Sequence, residues 1–504
     1  MSATIILLFV LAYFAVLLGI AFYTSRGATN ETFFIGQKKS NWLLVAYGMI
    51  GTSLSGVTFM SVPGEVHQKG FAYMQVVIGY FLGYLVVAFV LLPLYYRLNL
   101  TSIYTYLKDR FGETSYKTGA TFFLLSRTLG ASIRIYLVLI VLQHFLLDGL
   151  HIPFSVSVFV IMLMILLYTF NGGVKTIVWT DTLQTTGMIL ALLLTILLIV
   201  DGLNISIGDL MTQAKNLGYT KVFHTQNWLA GNYFLKHIIG GAFITITMTG
   251  MDQEMMQKNI SVRTLGESQK NMLLFSAVAV VVNLLFLVLG AALYIFMQQK
   301  QIALPEISDE TFAVVTLQHL PPIAALIFII GLVSALFPSA DGALTALTSS
   351  FCLDILGMNL RNDWSDEKRS RIRKTVHVSI TVLFVLLILY YRQVLEASVI
   401  STILKVAGYT YGPLLGLFAF GLLTKRSPNE KLVPWVGIVS VLLCVLVTMP
   451  ISEEVLSSRS LPGFISQYNQ WRKGILNGYE IGLELLILNG FLTFSGLFLI
   501  SKSK

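Results

Sequence analysis

Hydroxyl-bearing and small residues interrupt an otherwise apolar stretch near the start of the chain. Residues 48–63 contain three Gly and five Ser or Thr, and they end at Pro63. Inside hydrocarbon, irregular backbone is tolerated only where protein or a water-filled cavity surrounds it. An interrupted membrane helix therefore leaves carbonyls and amides free, and together with the hydroxyls they can bind an ion or a polar solute. The alternative is that the small residues only allow close helix packing.

Ionisable side chains inside apolar stretches form the second set of candidates, because a charge within a membrane is costly and usually functional. The basic ones are Arg127, Arg134 and Lys405, and the acidic ones are Asp181, Asp252, Asp341 and, near the end of a stretch, Asp354. Arg127 and Arg134 are seven positions apart, so they share one face of a helix. Structural ion pairing is the alternative for each residue. We favour function for Arg134 and Asp341, because both lie mid-stretch among small or hydroxyl residues.

Pro338 predicts a second interrupted helix within residues 331–350. Proline has no amide hydrogen and clashes with the carbonyl one turn earlier, that of Ser334, so we expect a kink. The freed carbonyls, the Ser339 hydroxyl and the Asp341 carboxylate are hard oxygen ligands of the kind that a small hard cation prefers. The alternatives are a kink with incidental hydroxyls, and an Asp341 that only pairs with Lys405 or an arginine.

The elements that must position these residues are membrane helices. The 504 residues are 55% hydrophobic and only 12% charged, whereas soluble domains are about 25% charged. About thirteen stretches are long enough to cross ~30 Å of hydrocarbon. They are 3–23, 42–62, 73–94, 117–146, 153–171, 176–201, 232–256, 269–297, 321–353, 375–391, 396–423, 432–449 and 480–501. We therefore expect one all-α, multi-pass membrane domain over residues 1–504.

The distribution of Lys and Arg predicts the orientation of this domain. Basic residues concentrate in alternate loops, as in 361–374, and the loops between them are richer in acid. The positive-inside rule then puts the N-terminus outside and the C-terminus inside. The net charge of +9 follows from this topology, so we expect a lipid bilayer and a small solute as partners and no nucleic acid. The sequence indicates no protein partner, and it contains no phosphate-binding loop, metal cluster or nucleophile–base pair that would favour an enzyme.

Four motifs resemble the sodium:solute symporter family, which includes sodium–galactose, sodium–proline, iodide and sialic acid transporters. They are Phe33-Phe34-Ile35-Gly36, the segment 168–184 with Trp179-Thr180-Asp181, Asp252-Gln253 with Gln257, and the segment 408–416. The resemblance covers nearly the whole chain. It implies a leucine-transporter-like core of two inverted five-helix repeats, 42–201 and 232–423. An extra helix at 3–23 precedes this core and two helices within 432–501 follow it.

The resemblance also implies a sodium site between two interrupted spans. Its ligands would include the carbonyls of Gly51, Leu54 and Ala335 and two consecutive serine hydroxyls. This chain has Pro338 and Ser339 at the serine positions, so one hydroxyl is absent.

A carboxylate stands close to the position of that absent hydroxyl. Asp341 follows Pro338 within one turn, and some relatives use the equivalent of Asp181 at a second sodium site. We therefore expect Ser339, Asp341 and Asp181 to join the carbonyls as cation ligands, with sodium as the coupling ion and a proton as the alternative.

Similarity to the sialic acid transporters assigns Ser53, Ser55 and Thr58 to the solute pocket. Arg134 would then bind a carboxylate through two parallel hydrogen bonds. Arg127 is the alternative for this role, because the spacing alone does not decide between them. Family members also carry sugars, amino acids, vitamins, iodide and short organic acids, so sialic acid is one candidate among several.

We therefore predict a secondary active symporter of the plasma membrane that imports a small organic solute, sialic acid or another organic anion, with sodium. Pro338 and Asp341 keep open a proton-coupled carrier or a uniporter of the same fold. A solute-sensing membrane domain without net transport is the third reading. We consider it weaker because the sequence ends at Lys504 without a signalling module.

Overall fold

The computed structural model describes residues 3–25, 33–34, 40–361, 363–394, 399–449 and 462–503. Ile35 and Gly36 of the first family motif lie outside the described residues. The helices, in chain order, are α1 Ala3–Thr24, α2 Trp42–Ser53, α3 Gly56–Gly64, α4 Val66–Lys69, α5 Tyr73–Val86, α6 Leu92–Arg97, α7 Thr105–Phe111, α8 Glu113–Leu142, α9 Phe154–Leu203, α10 Ile207–Asn216, α11 Phe234–Met248, α12 Gln253–Ile260, α13 Leu265–Gln299, α14 Thr311–Val314, α15 Pro322–Ser350, α16 Asp366–Val394, α17 Val399–Leu423, α18 Val433–Thr448, α19 Pro462–Leu476 and α20 Leu485–Leu499. Two short strands, β1 Ser427–Pro428 and β2 Ser501–Lys502, pair antiparallel.

Within the described residues, nine helices are long and apolar enough to cross a membrane, and two bent helix pairs raise the total to as many as eleven. Two shorter apolar helices, Phe154–Phe170 and Leu485–Leu499, add to this set. The structure therefore confirms the prediction of an all-α, multi-pass membrane protein. The predicted spans 153–171 and 176–201 meet at Gly173 inside α9, where φ is 54° and an added Cβ would lie 2.4 Å from Phe33 Cα.

The first interrupted helix lies where the sequence predicts it. α2 and α3 meet at an angle of 54°, with Leu54 and Ser55 between them. Ser55 has an extended backbone and begins α3 without a side-chain cap. Leu54, Ser55 and all of α3 are buried, and α2 is buried from Gly48 to Thr52. The break is therefore surrounded by protein, as an irregular backbone at membrane depth requires.

The second interrupted helix does not lie at Pro338, so that prediction was wrong. α15 is one continuous helix that contains Pro338, and every residue from Gly331 to Ser350 is buried. A proline removes only one donor, and close packing on all sides holds the helix together across it.

The second bend lies instead between α11 and α12, at 67°. The span 232–256, predicted as one helix, ends at Met248 and restarts after Asp252, whose carboxylate caps α12 through the amides of Glu254 and Met255.

α15 occupies the centre of the fold and packs against α8, α9 and both halves of the first bent pair. α11 packs along α5, and glycines permit this approach. A Cβ at Gly79 would lie 2.2 Å from the carbonyl oxygen of Ile238, and one at Gly241 would lie 2.5 Å from that of Val76. The backbones of α11 and α5 therefore lie in direct contact.

Candidate functional site

A cavity of about 110 Å³ lies beside the first bend. Ser53, Ser55, Thr58 and Arg134, the four residues predicted for the solute pocket, all line it. The wall also contains three tyrosines that the sequence did not single out, Tyr73, Tyr80 and Tyr84. The Ser53 and Tyr84 hydroxyls are 3.4 Å apart. The cavity therefore combines hydroxyls and aromatic rings with a cation.

The two arginines of α8 reach this cavity in different states. Arg127 is buried, its Nη2 is paired with Glu254 Oε2, and its Nη1 lies 3.9 Å from Asp252 Oδ2. Arg134 is half-buried and takes part in none of the ion pairs or hydrogen bonds found among the described residues. A guanidinium that faces a cavity without a partner can accept an anion. The geometry thus favours Arg134 over Arg127 for that role.

A larger chamber of about 470 Å³ adjoins this cavity and shares Tyr73, Ile400 and Leu404 with it. Lys405, one of the predicted charged candidates, is exposed on the wall of this chamber. None of the ion pairs in the described part of the chain includes Asp341, so the structure does not show the alternative pairing of Asp341 with Lys405. The chamber touches α3 at Val62 and is lined by no residue of the first bend itself.

The first bend leaves backbone carbonyls without partners. The amide of Leu54 donates to the carbonyl of Ile50, and the next amide-to-carbonyl bond runs from Phe59 to Ser55. No hydrogen bond among the described residues uses the carbonyls of Gly51 or Leu54. A buried carbonyl without a donor is rare. The two carbonyls predicted as cation ligands are therefore free to bind one.

The carboxylates of Asp341 and Asp181 are fully buried, and each has one oxygen in use and one without a partner. Asp341 Oδ2 accepts a 2.8 Å hydrogen bond from the Tyr168 hydroxyl. Asp181 Oδ2 accepts hydrogen bonds from Lys258 Nζ at 2.7 Å and from the Thr52 hydroxyl at 3.1 Å. The other oxygen of each carboxylate lacks a donor among the described residues.

Two further hydroxyls near Asp341 are buried without a partner. They belong to Ser339, a predicted ligand, and to Thr345, on the same helix. Ala335, the last predicted ligand, lies one turn before Ser339 and is fully buried. Asp341 and Asp181 repel each other, while Lys258 attracts both. Carboxylate, hydroxyl and carbonyl oxygens of this kind are the ligands that a small hard cation prefers.

Two charged residues of α12 were missed from the sequence. Glu254 and Lys258 are 2% and 3% exposed, so both charges lie inside the protein. Glu254 bridges Arg127 and Lys258, with the latter at 3.8 Å. The one signal for this was an Asp followed at positions two and six by Glu and Lys, a pattern that many exposed helix starts share.

The remaining charged candidates have local partners. Asp252 accepts a hydrogen bond from the Tyr411 hydroxyl at 2.9 Å and caps α12. Asp354 accepts hydrogen bonds from the hydroxyls of Tyr116 at 2.8 Å and Ser350 at 2.6 Å. The described contacts give both residues a structural role.

Known proteins resemble the chain in sequence over most of its length. Residues 33–433 match the model of the sodium:solute symporter family. The sodium/sialic acid symporters of Aliivibrio fischeri and Proteus mirabilis are each 25% identical over 446 residues, which is 86% of either chain. The sodium-coupled monocarboxylate transporter 1 of Mus musculus is 24% identical, over 80% of this chain and 66% of that protein.

Solved structures resemble the chain in fold. A Na+-coupled sialic acid symporter in a substrate-bound outward-open state gives a TM-score of 0.79 at 21% identity, over 98% of both chains. A nucleobase-cation-symport-1 family transporter in a closed conformation, with bromovinylhydantoin bound, gives 0.52 at 12% identity, over 92% of this chain and 98% of that one. The chain therefore shares its helical membrane fold with cation-coupled transporters.

Proposed function

Because the chain belongs to the sodium:solute symporter family, we propose that it imports a small organic carboxylate together with sodium. It is a multi-pass membrane protein of the plasma membrane, and sodium is its coupling ion. One observation carries the choice of an anion: Arg134 points an unpaired guanidinium into the cavity beside the first bend, whereas Arg127 is neutralised by Glu254.

The cavity supports a specific arrangement of the solute. Arg134 binds the carboxylate with two parallel hydrogen bonds, which a planar guanidinium is shaped to make. Ser53, Ser55 and Thr58 bind the polar groups of the solute, and the tyrosine rings cover its apolar face. Sialic acid is the first candidate, because two relatives are named as sodium/sialic acid symporters, and a monocarboxylate is the second.

Sodium binds, in this proposal, between the first bend and α15. The ligands are the carbonyls of Gly51, Leu54 and Ala335, the Ser339 hydroxyl, and the carboxylates of Asp341 and Asp181. Free carbonyls at the bend and orphaned oxygens on α15 and α9 support this set. The carboxylate of Asp341 takes over from the serine hydroxyl that Pro338 replaces.

We further infer thirteen transmembrane helices with the N-terminus outside and the C-terminus inside. The two bent pairs support a core of two inverted repeats, 42–201 and 232–423, because each predicted repeat begins with one of them. Alternating access then exposes the cavity to one side of the membrane at a time. The single domain covers 1–504, with 3–23 before the core and helices within 432–501 after it.

Uptake into proteoliposomes tests the proposed function. Sialic acid, lactate and a neutral hexose are each supplied as radiolabelled solutes, with an inward gradient of sodium, of protons or of neither. We expect uptake of a carboxylate that requires the sodium gradient, and no uptake of the hexose. Uptake driven by the proton gradient alone, or exchange without any gradient dependence, would instead establish the proton-coupled carrier or the uniporter.

The carboxylate of Asp341 is the observation that keeps the proton-coupled alternative in view, because a carboxylate can take up a proton in place of sodium. Asp341→Asn separates the two. In the sodium symporter this variant loses sodium dependence while it still binds the solute. If the variant keeps the sodium dependence of the wild type, Asp341 is not a ligand and the proposed site is wrong.

A further inference from the structure

A continuous series of buried ion pairs joins the solute cavity to the proposed sodium site. It begins at Arg127, which lines the cavity and pairs with Glu254. Glu254 lies 3.8 Å from Lys258, and Lys258 lies 2.7 Å from Asp181. The series crosses from α8 through α12 to α9. The Lys258 ammonium also donates to the Thr52 hydroxyl at 2.5 Å. Lys258 therefore connects α12 of the second bent pair to α2 of the first.

The strength of the ion pair between Lys258 and Asp181 depends on what else binds Asp181. An ammonium and a sodium ion carry the same charge, and both need the oxygens of a carboxylate and a hydroxyl. Lysine is a compact charge on a flexible stem, so it can move between partners more easily than a planar guanidinium can. A sodium ion beside Asp341 and Asp181 therefore repels the ammonium and weakens its attraction to Asp181.

Glu254 is the available second partner. It has one oxygen without a hydrogen bond among the described residues, and that oxygen is the one 3.8 Å from Lys258. The network also contains more buried acids than bases. The acids are Asp181, Asp252 and Glu254, and the bases are Arg127 and Lys258. The network can therefore take up an added cation while Lys258 stays charged, because the cation reduces an existing negative excess.

We propose that Lys258 is the positioning residue that couples sodium to the solute: it moves from Asp181 toward Glu254 when sodium binds, and this loosens the hold of Glu254 on Arg127. Arg127 then adds its positive charge to the cavity next to Arg134, and the affinity for an anion rises. The inference rests on the proposed function, since it requires sodium near Asp181 and an anion near Arg134. In this inference, Glu254 and Lys258 transmit the effect of bound sodium to the solute cavity.

The test is the affinity of the purified protein for the transported carboxylate, measured in sodium and in potassium chloride. The ratio of the two affinities is the coupling factor, which for coupled sites is on the order of 5–150. The main variant is Lys258→Met/Glu254→Gln, which removes one charge of each sign. It leaves Asp181 without its ammonium and Arg127 with Asp252 alone, so thermal unfolding first checks that the variant is folded. We expect its coupling factor to fall to about 1–2, and its half-saturating sodium concentration to fall because no ammonium competes for Asp181.

The control is Lys108→Met/Glu113→Gln, which removes a surface pair separated by 3.0 Å and should keep the wild-type coupling factor. If the main variant does not fold, Lys258→Arg replaces it. Its planar fork holds the carboxylate more tightly, so the half-saturating sodium concentration should rise several-fold. A wild-type coupling factor in the main variant, or an unchanged sodium requirement in Lys258→Arg, would overturn the role of Lys258. A wild-type protein that binds the carboxylate equally in both salts would refute the proposed function instead.

Discussion

The two bent helix pairs have similar angles but different contents. α2 and α3 meet at 54° and contain no acidic or basic residue, whereas α12, which meets α11 at 67°, buries Glu254 and Lys258 and is capped by Asp252. The first bend leaves carbonyls free, while the charges at the second bend are paired with each other and with Arg127 and Asp181. The first bend therefore has unused backbone oxygens, whereas the second bend has charged side chains that pair with one another.

The comparison shows that a bend does not by itself define a binding site. A broken membrane helix must satisfy its polar groups with protein or with a ligand. The first pair leaves that task to the solute and the cation, and the second pair performs it with its own side chains. In our proposal the first pair therefore binds the solute and the cation, and the second pair responds to their binding.

The largest expected effect is a difference in stability between a variant of Arg127 and a variant of Arg134. Arg127→Met leaves Asp252 buried without a cation and Glu254 with only the more distant Lys258, which costs about 3–5 kcal/mol of stability. Arg134→Met removes no ion pair found among the described residues and should leave stability nearly unchanged. Thermal unfolding of the two detergent-purified variants measures the difference. Equal destabilisation by both variants would mean that Arg134 is also a structural residue.

The next effect concerns solute affinity. Arg134→Lys cannot reproduce the two-donor geometry of the guanidinium, and hydrogen bonds to a charged group contribute about 1.5–3 kcal/mol. We expect the affinity for the carboxylate to fall about 10–100-fold. Arg127→Lys keeps a cation next to Glu254 and should lower the affinity less, as isothermal titration can show. If both variants bind normally, the solute is not recognised as an anion.

A smaller effect on sodium-driven uptake is expected when a methyl group is added at Gly51, next to the first bend. A Cβ at Gly51 would lie 2.3 Å from Thr185 Oγ1, so Gly51→Ala forces α2 away from α9 at a proposed sodium ligand. Overpacking of this kind costs about 1–3 kcal/mol. Gly130→Ala is the control, because a Cβ there meets nothing within 4 Å. Sodium-driven uptake should fall only in the first variant; equal uptake in both would remove Gly51 from the site.

The smallest effect is that of one hydroxyl. Thr58→Ala removes a hydrogen bond to the solute worth about 0.5–1.5 kcal/mol, so the affinity should fall by up to about tenfold with folding intact. Thr182→Ala provides the comparison, since this hydroxyl donates to the Val178 carbonyl of its own helix at 2.9 Å. Unchanged affinity in Thr58→Ala would mean that the solute does not bind at this face of the cavity.

The sequence predicted the first bend and missed the second for a physical reason. Gly and hydroxyl residues over 48–63 indicate an uncharged break directly, with close helix packing as the one alternative. At the second bend, Asp252 caps a new helix and the charges beyond it resemble an ordinary loop. Only the folded chain shows that Lys258 turns inward to Asp181.

At Pro338 the sequence predicted an interruption that the structure does not contain. Pro338 is a strong helix breaker in isolation, yet α15 continues through it because neighbouring helices bury every residue from Gly331 to Ser350. A seven-residue spacing places Arg127 and Arg134 on one helix face. It could not predict that Arg127 is paired with a carboxylate while Arg134, among the described residues, is not. That distinction depends on Glu254, which comes from a distant part of the chain.

Binding of sialic acid and of its methyl ester to the wild-type protein, in sodium and in potassium chloride, tests the central claim most directly. The two ligands differ only at the carboxylate, and the two salts differ only in the cation. We predict that the acid binds at least about tenfold more tightly in sodium, and that the ester binds weakly in both salts because it cannot pair with Arg134. Equal binding of acid and ester, or equal binding of the acid in both salts, would contradict the claim that this cavity recognises an anion under the control of sodium.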